Sequence, residues 1–422
     1  MSVRDLAARL GRFRSGPSTP YVGAVTARAA ARAVWGLTLP TMLSVAGYGR
    51  YQLIATTAAM AASVALLGTP QTVVRHAGRR VPIRLLSAHA AVMALVAIGV
   101  AALLIPGMSV PIVTTTLAAA VGVAIAVALL GARAKARLAF RTSLAAELAG
   151  AGVLVVAAIA VSTRSFSWQP ISAVWVDSTA LAVTAAVLLR ARATAAPSDT
   201  AAPPPTRAVF RDIYAVGALV LLDAVLFRRL EIYFLERSPD GLAGVAVLGL
   251  ALQIASVAFL VPSALLEAWQ PRIAVLASHG GAAFEGEVSR RTAQFAPLMA
   301  AVVLGGVAMT VVAVPLIFSH YRAWLGYIVG FVLIRLVSAG AGFYSAVLYA
   351  AGRHRALYAP AIASAVVAIA ANATFTARLG LRGALISYGA AQLTLAALTV
   401  AAFHRMSRRA RALETAPHPA SA

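Results

Sequence analysis

The stretch DAVLFRRLEIYFLERSPDGLAGVAVLGLALQIASVAFLV, from Asp223 to Val261, governs how the rest of the chain is read. Charges stand inside an apolar run at Asp223, Arg228, Arg229 and Glu231. The chain then turns over at Ser238-Pro239-Asp240-Gly241, a strong Pro/Gly turn signal, and runs apolar again past Val261. A charge at the centre of hydrocarbon costs about 2.5–3.5 kcal/mol on insertion scales, so it persists mainly where it faces a wet cavity or a partner. The hairpin reads as two membrane spans, the first of which carries a polar face.

Composition agrees along the whole length. The 422 residues are 61% hydrophobic and 12% charged, with a mean hydropathy of +0.84. Soluble domains sit near about 45–50% apolar and about 25% charged. Long runs with few charges recur, which defines an all-α integral membrane protein that crosses the bilayer many times. A net charge of +23 would suggest nucleic acid in a soluble chain. Here the arginines cluster in short segments between apolar runs, so orientation in a membrane accounts for them and no nucleic-acid partner is expected. The absence of cysteine excludes disulfides, thiolate metal sites and thiol nucleophiles. With no P-loop, HExxH or nucleophile–base–acid set, neither catalysis nor a cofactor or metal is expected.

At about 20 residues per crossing, twelve spans fit, near 22–45, 50–69, 84–105, 108–130, 142–162, 170–190, 212–235, 241–264, 294–318, 324–350, 356–376 and 383–403. The basic N-terminal arm, 1–21, lacks a clean apolar core and a cleavage site, so it reads as retained and cytoplasmic. From that start, the inner segments collect Arg75, Arg79, Arg80 and Arg84, then Arg133 to Arg141, Arg190 to Arg211, Arg272 to Arg291, Arg353 to Arg355 and Arg405 to Arg411. The outer loops carry Arg50, Arg164, Arg237, Arg322, Arg378 and Arg382. This asymmetry follows the positive-inside rule and puts both termini in the cytoplasm. The segment 191–206, with Pro197, Pro203, Pro204 and Pro205, reads as an extended cytoplasmic linker between two halves, 22–190 and 207–405, before a cytoplasmic tail, 406–422. Six is even, so both halves start inside and a repeat between them would be parallel. R-A-K-A after the fourth span (Arg133 to Ala136) and R-H-R-A after the tenth (Arg353 to Ala356) hint at one. No segment forms an aqueous domain; the longest loop, Gln270 to Arg291, has room for one amphipathic helix, and the outer loops are short.

Four arginines are candidates for substrate contact. At about 100° per residue from Asp223, Glu231 falls near about 80° and Arg228 near about 140°, while Arg229 points away. Arg228 and Glu231 are i,i+3 neighbours. Either this face lines a cavity, with Arg228 on an anion and Asp223 and Glu231 positioning or coupling it, or the charges snorkel to the headgroups. Arg335 lies eleven residues past Trp324. That is about 16 Å along a helix and too deep for easy snorkelling. It faces a wet cavity or pairs with an acid such as Asp223 or Asp177. Arg28 and Arg32 stand one turn apart with Trp35. They form either a two-arginine clamp suited to phosphate or pyrophosphate, or the basic end of the first span. Asp177 and Glu147 are isolated acids, either coupling or structural. His89, Asn372 and Gln392 suit hydrogen bonds between helices.

Several of these motifs resemble the bacterial polysaccharide and O-antigen lipid flippases. They are Y-G-R-Y (Tyr48 to Tyr51) with Arg75 beyond, R-L-E-I (Arg229 to Ile232) before the Gly241 to Gly244 turn, and W-Q-P-R (Trp269 to Arg272). A-A-G-R-H-R (Ala350 to Arg355), Ala371-Asn372 and G-L-R-G-A (Gly380 to Ala384) extend the likeness to about residues 20–405. Glu231 stands where members carry Asp, and Ala246 where they carry a second Tyr. The resemblance implies the superfamily shared with multidrug and toxin extruders, with two six-helix bundles around a central cleft that opens alternately to each side. It also implies a cargo, undecaprenyl-pyrophosphate-linked oligosaccharide moved from the inner to the outer leaflet of the bacterial cytoplasmic membrane. The expected partners are that lipid-linked substrate, membrane lipids and other polysaccharide-assembly proteins. Two alternatives stand beside it: an ion-coupled multidrug exporter of the same fold, and a polysaccharide polymerase or ligase, which would need a sizeable outer loop.

Overall fold

A computed structural model describes residues 19–75, 83–103, 105, 109–136, 140–163, 169–192, 205–227, 230–279 and 281–414. Arg228, Arg229, most of the arm and the linker, and the end of the tail lie outside them. Among the described residues, each expected span is built of helix, as hydrocarbon demands of a backbone that must satisfy its own polar groups. The first half contains α1 (Thr19–Met42), α2 (Val45–Leu66), a short α3 (Thr69–Arg75), α4 (Ile83–Leu103), α5 (Val110–Ala136), α6 (Phe140–Thr163) and α7 (Pro170–Arg192). The second contains α8 (Thr206–Phe227) and α9 (Glu231–Glu236), which together cover the seventh span, and then α10 (Gly241–Ala258). It continues with α11 (Leu260–His279), α12 (Gly281–Leu316), α13 (Leu325–Gly340), α14 (Gly342–Ala350), α15 (Tyr358–Ala371) and α16 (Ala377–Glu414).

The stretch Gln270 to Arg291, expected as a loop holding one helix, is almost wholly helical: α11 runs through it to His279 and α12 starts at Gly281. Its own packing explains this. Trp269 is buried edge-on to Phe295 and Phe343, and the Arg291 guanidinium sits 4.7 Å from the Trp269 ring centroid. Glu287 in turn holds Arg291 at 3.0 Å one turn away.

The neighbour pattern repeats with an offset of six spans. In the first half, span one packs on five, five on six, four on six, and spans two, three and four on one another. In the second, span seven packs on eleven, eleven on twelve, ten on twelve, and eight, nine and ten on one another. Two bundles of one design result, each closed by contacts remote in sequence.

Between the bundles, α10 packs on α1 and α2, and α8 on α2 and α3. A Cβ on Gly49 would lie 2.0 Å from the Leu242 carbonyl oxygen, so α2 and the start of α10 touch backbone to backbone, as small residues allow. Gln52 seats against Gly249, and Gln253 against Gly36. Thr57 and Tyr233 hydroxyls meet at 2.8 Å across the same boundary. Towards the opposite end, the His89 ring on α4 lies 3.2 Å from the Tyr214 hydroxyl on α8.

The Ser238–Gly241 turn forms as expected, with Gly241 at φ +51° and its N–H donating to Ser238 at 3.0 Å. It also braces the second bundle. Asp240 accepts from the Leu381 N–H at 2.6 Å and so caps the helix where α16 kinks at Gly380.

Candidate functional site

Three polar clusters lie among the spans. The first belongs to the first bundle. Arg28 on α1 donates from Nη1 to Glu147 Oε1 on α6 at 2.7 Å, with 37% and 18% of the two side chains exposed. On α7, Asp177 accepts from the Tyr51 hydroxyl of α2 at 2.7 Å, and Arg32 lies within electrostatic range of both acids. The two arginines and two acids line a crevice of about 20 Å³, room for about one water. Glu147 and Asp177 therefore have partners, and Arg28 is no free half of a two-arginine clamp. The helix carries on unbroken to Met42, so Arg28 meets its partner inside the bundle.

The second cluster surrounds Arg335. At Ala341, between α13 and α14, the tenth span tightens for one turn, the Ala341 N–H reaching back to Ser338 at 3.1 Å while the backbone stays helical. Beside this turn opens a cavity of about 360 Å³, lined by Arg335, Ser338, Ser345, Gln392 and Thr399, with Phe259 and Leu266 as apolar wall. Ser338 donates to Gln392 Oε1 at 3.1 Å, tying α13 to α16 across it. The volume suits a small ligand.

The third cluster holds a buried acid. Glu231, 1% exposed, lies at the start of α9 beside Asn372, where the eleventh span loosens into a π turn, Asn372–Thr376. Glu231 Oε2 has no hydrogen-bond partner among the described residues. Asn372 donates to its own helix at Ala368 O (2.8 Å), and its Oδ1 accepts from Thr376 (2.7 Å), whose hydroxyl also reaches Ser387 (3.3 Å). π turns frequently mark functional positions.

Arg28 and Arg32 line one crevice with Glu147 and Asp177, and Arg335 lines a separate cavity in the second bundle. Helical faces set this: the side of α1 bearing Arg28 packs on α6, whereas Arg335 faces α11 and α16. Arg228 lies outside the described residues, and of Asp223 only the helical backbone is described, so the Arg228–Glu231 pair is not placed. His89 and Gln392 hydrogen-bond between helices, and Asn372, besides bonding within its own helix, hydrogen-bonds Glu231 of α9. Sequence reasoning missed Tyr51, Gln253 and the Thr57–Tyr233 contact. A polar side chain every helical turn, as at Tyr48 and Gln52, was the available signal; Gln52 donates to the Tyr48 hydroxyl at 2.6 Å.

Among the described residues, helices arranged as a repeat of six spans with sheltered charges define a multi-pass membrane protein. Among solved structures the chain is similar to a multidrug resistance MATE family transporter of the MOP superfamily. In its inward-facing conformation the TM-score is 0.56 at 16% identity, over 95% of this chain and 96% of that one. For the outward-facing conformation the values are 0.56 and 17%, over 96% and 98%. A MATE crystal structure in the bent conformation gives 0.55 and 16%, over 95% and 97%. At such identities the likeness is one of fold. No protein-family model and no curated protein sequence matches the chain.

Proposed function

We propose that this protein is a bacterial inner-membrane flippase that carries a pyrophosphate-linked oligosaccharide lipid from the inner to the outer leaflet by alternating access, with both termini cytoplasmic. The observation that carries the reading is Arg335, lining a polar cavity between the tenth and twelfth spans of a MATE-like fold. A diphosphate needs a counter-charge in a low-dielectric site, and a guanidinium matches its oxygens in geometry as well as charge. Serine, glutamine and threonine around Arg335 offer hydrogen bonds to phosphate or sugar hydroxyls, while the lipid tail stays in the bilayer. Arg228, close in sequence to Glu231, is a second candidate contact. Solved neighbours in inward- and outward-facing states support alternation about the inter-bundle contacts at Gly49–Leu242 and His89–Tyr214. Glu231, Asp223 and Asp177 are the acids proposed to position the cargo or couple its movement to an ion.

The fold equally serves an ion-coupled multidrug exporter, and the acids inside the spans favour cations. In the first bundle, however, Glu147 and Asp177 are matched by Arg28 and Arg32, so their crevice offers a cation no net negative charge. Deleting the gene separates the two. Under the flippase reading, lipid-linked repeat units accumulate on the cytoplasmic face, wild type rescues, and Arg335→Ala rescues poorly. Normal precursor handling with altered drug sensitivity alone would favour the exporter.

A further inference from the structure

The first bundle holds two arginines and two carboxylates, Arg28, Arg32, Glu147 and Asp177, in one crevice. Their formal charges cancel. Glu147 occupies Arg28 at 2.7 Å, the position an incoming oxyanion would need, and the space left is about 20 Å³. A phosphate group that takes the place facing Arg28 Nη1 must displace Glu147. The displaced carboxylate would then sit beside Asp177 and the newcomer's negative charge, and like charges that close repel. Taking up a proton removes the conflict.

We infer that Glu147 is an exchangeable counter-anion: an oxyanion of the pyrophosphate class binds at Arg28 as Glu147 lets go and is protonated. This rests on the transport reading above and adds a proton to it. The balance is simple. The Arg28–Glu147 ion pair breaks, Arg28 pairs with the oxyanion, and one proton passes from water to the Glu147 carboxylate. The other ionisable groups facing Glu147 are Arg28 and Arg32 on α1, Asp177 on α7 and, through Asp177, Tyr51 on α2. From α5, which also packs on α6, none lines the crevice. Asp177 is engaged by the Tyr51 hydroxyl, whereas Glu147 is held by Arg28 through the bond that must break. Its side chain keeps 18% exposure, a route for the proton.

The test is calorimetric titration of the purified full chain with a water-soluble dialkyl pyrophosphate, which lacks the phosphate monoester ionisation near about pH 6. Running it in two buffers of different ionisation enthalpy counts protons directly, with no variant needed. The expected result is uptake of about one proton per bound probe, with affinity falling up to about tenfold per pH unit as pH rises. Glu147→Gln should bind with neither proton uptake nor pH dependence, and Glu147→Asp should keep both. The count is repeated on Arg335→Ala to set aside probe held in the second bundle. Binding without proton uptake, uptake that survives Glu147→Gln, or loss of all binding in Arg335→Ala would each overturn the inference and leave the transport reading standing. A wild-type protein that binds no probe at either pH would sink both.

Discussion

Replacing Gly380 by alanine should damage the second bundle far more than one added methyl group suggests. Gly380 sits at φ +56°, ψ −129°, a backbone region open mainly to glycine. Forcing an L-residue there costs about 1–3 kcal/mol. A Cβ would also stand 1.9 Å from Asp240 Oδ2, the atom that accepts from the Leu381 N–H at 2.6 Å. The carboxylate must move, and a hydrogen bond to a charged acceptor is worth about 1.5–3 kcal/mol. Together the loss is about 2.5–6 kcal/mol, and the thermal midpoint should drop by about 3–7 °C. Fluorescence-detected unfolding of purified protein measures it. Asp240→Ala alone forfeits only the bond, so the double variant should be no less stable than Gly380→Ala, and the single losses should not add. A Gly380→Ala protein within about 1 °C of wild type, or strictly additive losses, would refute the brace.

Gly49→Leu should prevent α2 from meeting the Leu242 carbonyl, because even the Cβ overlaps it; spin-label distances between the bundles at that end should lengthen, and unchanged distances would count against the contact. Tyr233→Phe removes the hydroxyl that meets Thr57 and should shift the open-to-closed ratio by about fivefold, the equivalent of about 1 kcal/mol, in single-molecule fluorescence. Glu231→Gln should leave stability unchanged or raise it by about 1 kcal/mol, since a buried carboxylate is relieved of its charge, while transport in vesicles falls at least about tenfold. Retained transport would remove Glu231 from the coupling role.

Much of this was legible before any coordinates. Every expected span is a helix, the turn at Ser238–Gly241 forms where proline and glycine place it, and the depth of Arg335 in its span already marked it. The partners were not legible. Arg28 finds Glu147 at a separation of 119 residues, and nothing in either span announces the other. In soluble helices an apolar stripe points to the core, but in hydrocarbon both faces are apolar. Along α6, lipid-facing Val156 and Ile159 are as greasy as buried Leu154 and Ala158, so the face turned towards α1 could not be chosen. The same blindness hid which acids and polar groups each arginine faces. Gln392 and Thr399, the far wall of the Arg335 cavity, come from a span whose neighbours are set by packing alone.

The long sequence gap between Arg28 and Glu147 has a bearing on how the molecule is made. At about 5–20 residues per second, a ribosome that has delivered the first span needs roughly 6–24 s more to deliver the acid that neutralises it. During that interval a helix carrying two arginines must wait in the insertion machinery or at the lipid headgroups, since each unmatched charge in hydrocarbon costs about 2.5–3.5 kcal/mol. The helix bearing Arg28 thus emerges well before the helix it pairs with, and its seating against α6 waits on the fifth crossing.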